Sequence, residues 1–413
     1  MRKTLSVLGK LLVTFICMFA MIMIIDNASV RADSGETVRV STAKELKAAI
    51  KKADVGTVIF RTYANISVTI KSAAGAKNKE LIVDAPNATV TNKAVFSRIN
   101  IISVNDFIEK VSGNEIIMSG SPEGYPAHLT VAAKKKVKKL YIFDSYGSFY
   151  DHYTLKKGAK LKDLSLIYNG NTEPVENSGS VGKKKLTIKY TTPYDNTCSQ
   201  KITLDASGRI SRVISDSNSV ESTYDYSFTY DENGNIIKQA GYDNDGGKFT
   251  TTYIYSGDIL QKTIFDGQWA SSESEYTFDK KGRLILQEIT QEDSIDGIVF
   301  TTTWTIRNEY DKKGRLINVK NDELTHYVNG TYDDYSSSRV ITYAYDAGSF
   351  VLKKQNIGQY PTYEYNYTYE YEYNKAGDLI RETITSYDDG SSDPEVEIHE
   401  YTYDEFGGLL DQN

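Results

Sequence analysis

The chain has 413 residues, 40% hydrophobic and 25% charged, room for two or three domains and ordinary for a globular protein rather than a disordered or collagen-like one. Tyr stands out, with 32 against 14 Phe and 2 Trp, which favours β-strands with a wettable surface. Charge is split: residues 33–190 hold 25 Lys and Arg against 15 Asp and Glu, net +10, and residues 191–413 hold 19 against 39, net −20, so two domains with different partners are expected and nucleic acid is not.

In chain order, Arg2, Lys3 and Lys10 precede an apolar run from Leu11 to Ile25, interrupted only by Thr14, and Val30-Arg31-Ala32 follows with small residues at the positions a signal peptidase reads. The run is short of the ~20 residues a membrane-spanning helix needs. Residues 1–32 are therefore read as a signal peptide cut after Ala32, with a retained membrane anchor as the alternative. The mature protein is expected to be secreted or cell-surface associated, with no membrane span. Only Cys198 then remains, so the fold has to hold without an internal disulfide.

Residues 33–190 begin with a helix, Thr42 to Lys52. Thr42 and Glu45 have capping-box spacing, and Leu46, Ala49 and Ile50 share one face. Seven apolar bursts follow, marked by Val58, Ile82, Ile101, Ile117, Tyr141, Leu166 and Ile188. Their spacings, mostly in the low twenties, predict a β-solenoid whose coils bury aliphatics only by stacking on one another. The basic run Lys134, Lys135, Lys136, Lys138 and Lys139 reads either as a solvated turn or as a patch for anionic polymers. The opening phrase Ser41-Thr-Ala-Lys-Glu-Leu-Lys-Ala-Ala-Ile50, then Gly56-Thr-Val-Ile-Phe60, resembles the start of pectate-lyase-like right-handed parallel β-helix proteins. That resemblance implies a short right-handed parallel β-helix with an N-terminal capping helix. Its polysaccharide lyases use clustered acidic calcium ligands and an Arg or Lys base. Here Asp84, Asp106, Asp144 and Asp163 are scattered, so no catalytic residue is carried over.

Residues 191–413 repeat a motif, aromatic–Asp–x–x–Gly–x–aliphatic. Copies start at Leu204, Tyr230, Phe278, Tyr310, Tyr373 and Tyr403, with a degenerate copy at Tyr345-Asp-Ala-Gly-Ser-Phe350 and a shortened one at Tyr255-Ser-Gly-Asp-Ile259. Asp or Asn opening a type I turn bonds the backbone ahead, and Gly three residues later accepts positive φ. Strands alternate before each turn, most clearly at Tyr363, Tyr365, Tyr367, Tyr369, Tyr371 and Tyr373, six rings on one face. An antiparallel β-hairpin repeat sheet is expected, making the whole protein all-β. The acidic turns with Asp243, Asp245, Asp388 and Asp389 match no EF-hand loop, and neither metal nor cofactor is expected.

The motif resembles the Rhs/YD-repeat family over roughly residues 200–413. The resemblance implies a curved β-sheet surface on a secreted or cell-surface protein. Some eight repeats are too few for the closed toxin-containing shell of long members. The leading expectation is a non-catalytic surface or matrix protein for extracellular glycan, cell-wall polymer or a surface protein, with the Tyr face read either as rings that cover the sheet and pack as cross-strand pairs or as a stacking surface for sugar. The alternatives are a β-helix polysaccharide lyase or hydrolase, and an accessory protein of a polymorphic toxin system.

Overall fold

The computed structural model describes residues 35–120, 127–144, 149, 152–168, 175–180, 185–191, 197–217, 224–242, 247–268, 270–295, 298–328, 332–387, 394–404 and 409–412. The expected signal peptide, most of the acidic turns and the Gly of the last motif copy lie outside them. Among the described residues the fold is all-β with one α-helix, one largely parallel sheet and one antiparallel sheet. Among the described residues, one compact unit comprises 35–62, 66–227 and 232–235, and a second comprises 63–65, 228–231 and the rest from 236 on.

The parallel sheet contains β1 (Glu36–Val40), β2 (Val55–Arg61), β3 (Ser67–Ile70), β4 (Glu80–Asn92), β5 (Arg98–Glu109), β6 (Glu115–Met118), β7 (Ala127–Val131), β8 (Lys136–Asp144), β9 (Tyr153–Leu155) and β10 (Lys160–Tyr168). Helix α1 (Ala43–Lys51) follows β1, and the expected capping box forms, with Glu45 N donating to Thr42 Oγ1 at 3.2 Å and Thr42 N to Glu45 Oε2 at 3.0 Å. Leu46, Ala49 and Ile50 are its buried face.

Two parallel ladders share β4 and β5. In the first, Val58, Leu81, Ile99, Ile116, Leu140 and Leu164 stand opposite one another rung by rung, all fully buried. In the second, Val68, Val90, Phe107, Leu129 and Tyr153 stand opposite one another in the same way, all buried. No rung could bury these side chains alone, so stacking supplies the core. The register of the β4–β5 pair shifts between Ala85 and Thr89, around Pro86. Proline has no N–H for the ladder, so the chain turns there from one ladder to the other.

The second ladder leaves no periodic signal in the sequence, because β3, β7 and β9 have only three to five residues each. The seventh apolar burst, around Ile188, is not a further coil. Strand β11 (Val175–Ser180) runs antiparallel on β10, and β12 (Lys185–Thr191) pairs antiparallel with β13 (Thr197–Leu204). Five residues between β12 and β13 suffice for a hairpin, whereas a parallel crossover needs a dozen or more.

The antiparallel sheet continues through β14 (Ile210–Ser217), β15 (Tyr224–Tyr230), β16 (Ile236–Tyr242), β17 (Lys248–Ser256), β18 (Ile259–Gly267), β19 (Ala270–Phe278), β20 (Leu284–Ile295), β21 (Ile298–Tyr310), β22 (Leu316–Tyr327), β23 (Tyr335–Tyr345), β24 (Val351–Gln359), β25 (Glu364–Tyr373), β26 (Leu379–Tyr387), β27 (Glu395–Tyr403) and β28 (Leu409–Gln412). From β12 to β28 the strands pair strictly in sequence order, a meander of hairpins as the motif spacing predicts. Beyond residue 236 the only buried hydrophobic side chain among the described residues is Leu379, which keeps 8% of its surface exposed. Both faces of this sheet keep partial solvent contact.

Candidate functional site

Each motif position first has a structural task. At Asp279, Lys281 N and Arg283 N donate to Oδ1 at 2.8 and 3.0 Å, and Gly282 N donates to the Asp279 carbonyl at 2.9 Å. Gly282 has φ +77°, and Gly208, Gly234, Gly314 and Gly377 are likewise positive. This is a type I turn closed by a left-handed glycine, with the register shift of a bulge between Thr277 and Phe278. In the degenerate copy Ser349 takes the glycine position at φ +76°, so that turn has full length and runs on to Val351.

The residue after Gly, treated as variable in the sequence reading, also has a task. Arg283 Nε donates to Asp279 Oδ2 at 2.7 Å, and its guanidinium lies 4.5 Å over the Tyr310 ring of the next copy. Tyr310 Oη then donates back to the Leu284 carbonyl at 2.9 Å. Arg315, Asp311 and Tyr345 repeat this unit, with Tyr345 Oη on the Leu316 carbonyl at 2.8 Å. The hydrogen bond from the Arg283 side chain holds the Asp279 carboxyl at about 2. Recurrence of Arg209, Arg283 and Arg315 after Gly was the available signal.

These turns position the strand face bearing the tyrosines. Tyr365, Tyr367, Tyr369, Tyr371 and Tyr373 lie half-buried on one side of β25, and Tyr363, just ahead of the strand, is 47% exposed. Tyr363 stacks on Tyr360 with centroids 4.6 Å apart and planes within 9°, and Tyr365 lies 5.5 Å from Tyr367. The Tyr365 ring covers Gly358 on β24, so any side chain there would displace it.

Pairing carries the same face across neighbouring strands. One row runs Ile306, Asn321, Arg339, Gly358, Tyr365, and a second runs Tyr343, Lys354, Tyr369, Ile384, Glu397. Arg339 Nε donates to Asn356 Oδ1 at 2.8 Å, and Lys354 Nζ sits 4.8 Å over the Tyr369 ring. Burial lowers the pKa of Lys354, Arg339 lowers it further, and Glu382 opposes both. Glu323, opposite Trp304, accepts from Tyr335 Oη at 2.8 Å and Ser337 Oγ at 3.0 Å. Rings, amides and a few charges share one half-wet surface. Such a surface can stack on the apolar face of a flat ring while hydrogen-bonding its substituents.

The lysine run starts in the turn before β8. Lys134, Lys136 and Lys138 are exposed, Lys135 and Lys139 are half-buried, and Val137 points into the core. Lys138 approaches Glu115 at 3.8 Å, and Lys139 lies over the Tyr141 ring. The four acids placed near the strands do not converge. Asp84 pairs with buried Arg61, Asp106 with His128, and Asp144 with His152, while Asp163 faces Lys139. Among the described residues no group of three or more His, Cys, Asp or Glu is placed to hold a metal. One chain of polar groups was illegible in sequence: Asp106 Oδ1 to His128 Nδ1 at 3.1 Å, and His128 Nε2 to Thr154 Oγ1 at 3.1 Å. These residues lie 22 and 26 positions apart and meet only because coils stack.

No family model matches the chain, and no curated protein matches it. Among solved structures, a TcdB2–TccC3 complex shares 14% identity over 58% of this chain and 15% of that one, with TM-score 0.19. A porin-like protein from Bacteroides uniformis shares 16% over 55% and 87%, with TM-score 0.23. The Photorhabdus luminescens Tc holotoxin pore shares 11% over 58% and 19%, with TM-score 0.14. The chain thus spans under a fifth of the length of these toxin chains, and TM-scores this low assign neither a family nor an activity.

Proposed function

We propose that the protein is an exported, non-catalytic binding protein of the YD-repeat kind, and that the Tyr face of β23 to β26 takes a carbohydrate chain. The two stacked parallel ladders are read with it as a short right-handed β-helix. The observation behind this reading is the half-buried row of rings on β25 flanked by Asn356, Arg339, Lys354 and Glu323. A surface meant only to close a core would exclude those polar groups. The test is a glycan array with the full chain, repeated with Tyr367→Ala and Tyr369→Ala. Stacking energies of about 0.5–1.5 kcal/mol per ring contact predict roughly five- to 150-fold weaker binding for the pair. Absence of binding to every glycan, or equal binding by the variants, would overturn the reading. N-terminal sequencing of exported protein tests the leader, with Asp33 as the expected first residue.

A hydrolase reading has one observation in its favour, the Asp106–His128–Thr154 chain, in which an oriented imidazole faces a hydroxyl. Release of sugar ends from a polysaccharide, abolished by Thr154→Val, would establish it. Membership of a toxin system has only the names of structural neighbours behind it, at TM-scores of 0.19 and 0.14.

A further inference from the structure

We propose that the first unit carries a docking edge for a linear polymer of phosphate groups, built from Lys71, Lys93, Lys110 and the turn Lys134 to Lys136. It is independent of the Tyr face.

The edge follows from the register of the second ladder. Each strand ends one residue before a corner, and the corner N–H bonds the last carbonyl of the preceding rung. Lys93 N donates to Ile70 O at 2.9 Å, Lys110 N to Asn92 O at 2.8 Å, Ala132 N to Glu109 O at 2.9 Å and Lys156 N to Val131 O at 3.0 Å. Corner residues Lys71, Lys93, Lys110, Ala132 and Lys156 therefore stack one per rung, about 4.8 Å apart. At the rung where Ala132 interrupts the column, the turn just beyond it supplies Lys134, Lys135 and Lys136. Lys134 holds φ +61°, a left-handed conformation that glycine would adopt at less cost.

Lys71, Lys93, Lys110, Lys134 and Lys136 are all exposed, and among the described residues none of them is placed in an ion pair. Stacked like charges repel, so the column is built against its own stability. At the last rung the chain itself relieves this. Lys157 Nζ lies 2.8 Å from Glu232 and Lys156 Nζ 2.9 Å from Asn235 Oδ1. Lys71, Lys93 and Lys110 hold the same corner position as Lys156, and among the described residues no carboxylate is paired with them.

Every cation in the column is Lys, a compact point charge that holds phosphate oxygens without a directional fork, and the column lacks the planar arginine fork that would grip a carboxylate bidentately. No aromatic residue occupies the corner or turn positions, so nucleobases have nothing to stack on. A polyphosphate or sugar-free phosphodiester chain fits, and nucleic acid or polyuronate does not.

The test measures binding of fluorescent long-chain inorganic polyphosphate to the full chain across salt concentrations. Each lysine engaged should contribute about 0.7 to the slope of log K against log salt. The variant Lys71→Gln/Lys93→Gln/Lys110→Gln should bind at least tenfold more weakly with a slope lower by about 2, from the same relation. Lys134→Gly removes a charge while suiting the backbone, so it should weaken binding two- to threefold and leave the protein at least as heat-stable. Lys280→Gln, on a hairpin turn, should change nothing. No binding of polyphosphate, parental affinity in both the triple variant and Lys134→Gly, or equal or tighter binding of polyuronate or a single-stranded oligonucleotide of matched charge would each overturn the proposal.

Discussion

Gly282 and Ser349 occupy the same place in two copies of one turn, at φ +77° and +76°. A side chain there crowds the following carbonyl, at about 1–2 kcal/mol. Gly282→Ala should therefore destabilise by roughly that amount, and Ser349→Gly should stabilise by up to about 1 kcal/mol, less the extra chain entropy glycine brings. Urea unfolding of the two variants checks both signs. Asn374 shows how a copy changes without losing its turn. Its Oδ1 accepts from Ala376 N and Asp378 N, and its Nδ2 donates to Asp378 Oδ2 at 2.8 Å, so the Asp–Arg pair of other copies becomes Asn–Asp. Inside the parallel ladders, Glu109 is fully buried, and burial raises its carboxyl to about 7 despite hydrogen bonds from Asn92, Val111 and Asn114. A carboxyl with a raised folded pKa binds its proton more tightly when folded. The stability it confers is complete below pH about 4.5 and is lost as pH rises through about 7. Between pH 5 and pH 8 that loss is roughly 2–3 kcal/mol. Glu109→Gln should remove this component, and an unchanged pH difference in the variant would show that Glu109 does not titrate there.

At the scale of elements, each hairpin turn is tied to the next by the Asp–Arg–Tyr unit. Tyr310→Phe keeps the ring under Arg283 but deletes the bond to the Leu284 carbonyl, at a cost of about 1 kcal/mol. Asp311→Ala and Arg315→Ala should each lower the unfolding midpoint, the first by also losing the acceptor for Arg315 N at 2.9 Å, the second by also losing the Tyr345 stacking and the bond to the Asp346 carbonyl at 2.9 Å. The double variant should lose less than the sum of the two, since both truncations break one interaction. In acid, the lowered Asp279 carboxyl confers stability present above its unfolded pKa near 4 and lost as pH falls through about 2. The turns were legible because their chemistry is local: Asp, Gly and the aliphatic lie within seven residues. The stacking of Arg283 on Tyr310 was not, since 27 residues separate them and only pairing of β20 with β21 brings them together.

At the scale of the molecule, a meander paired strictly in sequence order makes each repeat depend on its neighbours alone. Removing residues 279–310 joins Phe278 to Asp311 at equivalent motif positions. The shortened chain should keep its β-sheet circular dichroism and unfold at a lower temperature. Loss of all β-structure would show that this repeat has long-range contacts the pairing order does not require. The Tyr face belongs to this scale too. Its rings are half-buried because the sheet carries few fully buried apolar side chains and the rings cover one another.

By itself the sequence determined the capped helix, the hairpin turns, the alternation of β25 and the division of charge, all of which rest on interactions between near neighbours. Tertiary structure alone decided the second parallel ladder, the antiparallel placement of β11 and β12, the Asp106–His128–Thr154 chain and the lysine column. Those depend on register between strands some twenty residues apart. A short strand carries too little periodicity to declare its partner before the coils are stacked.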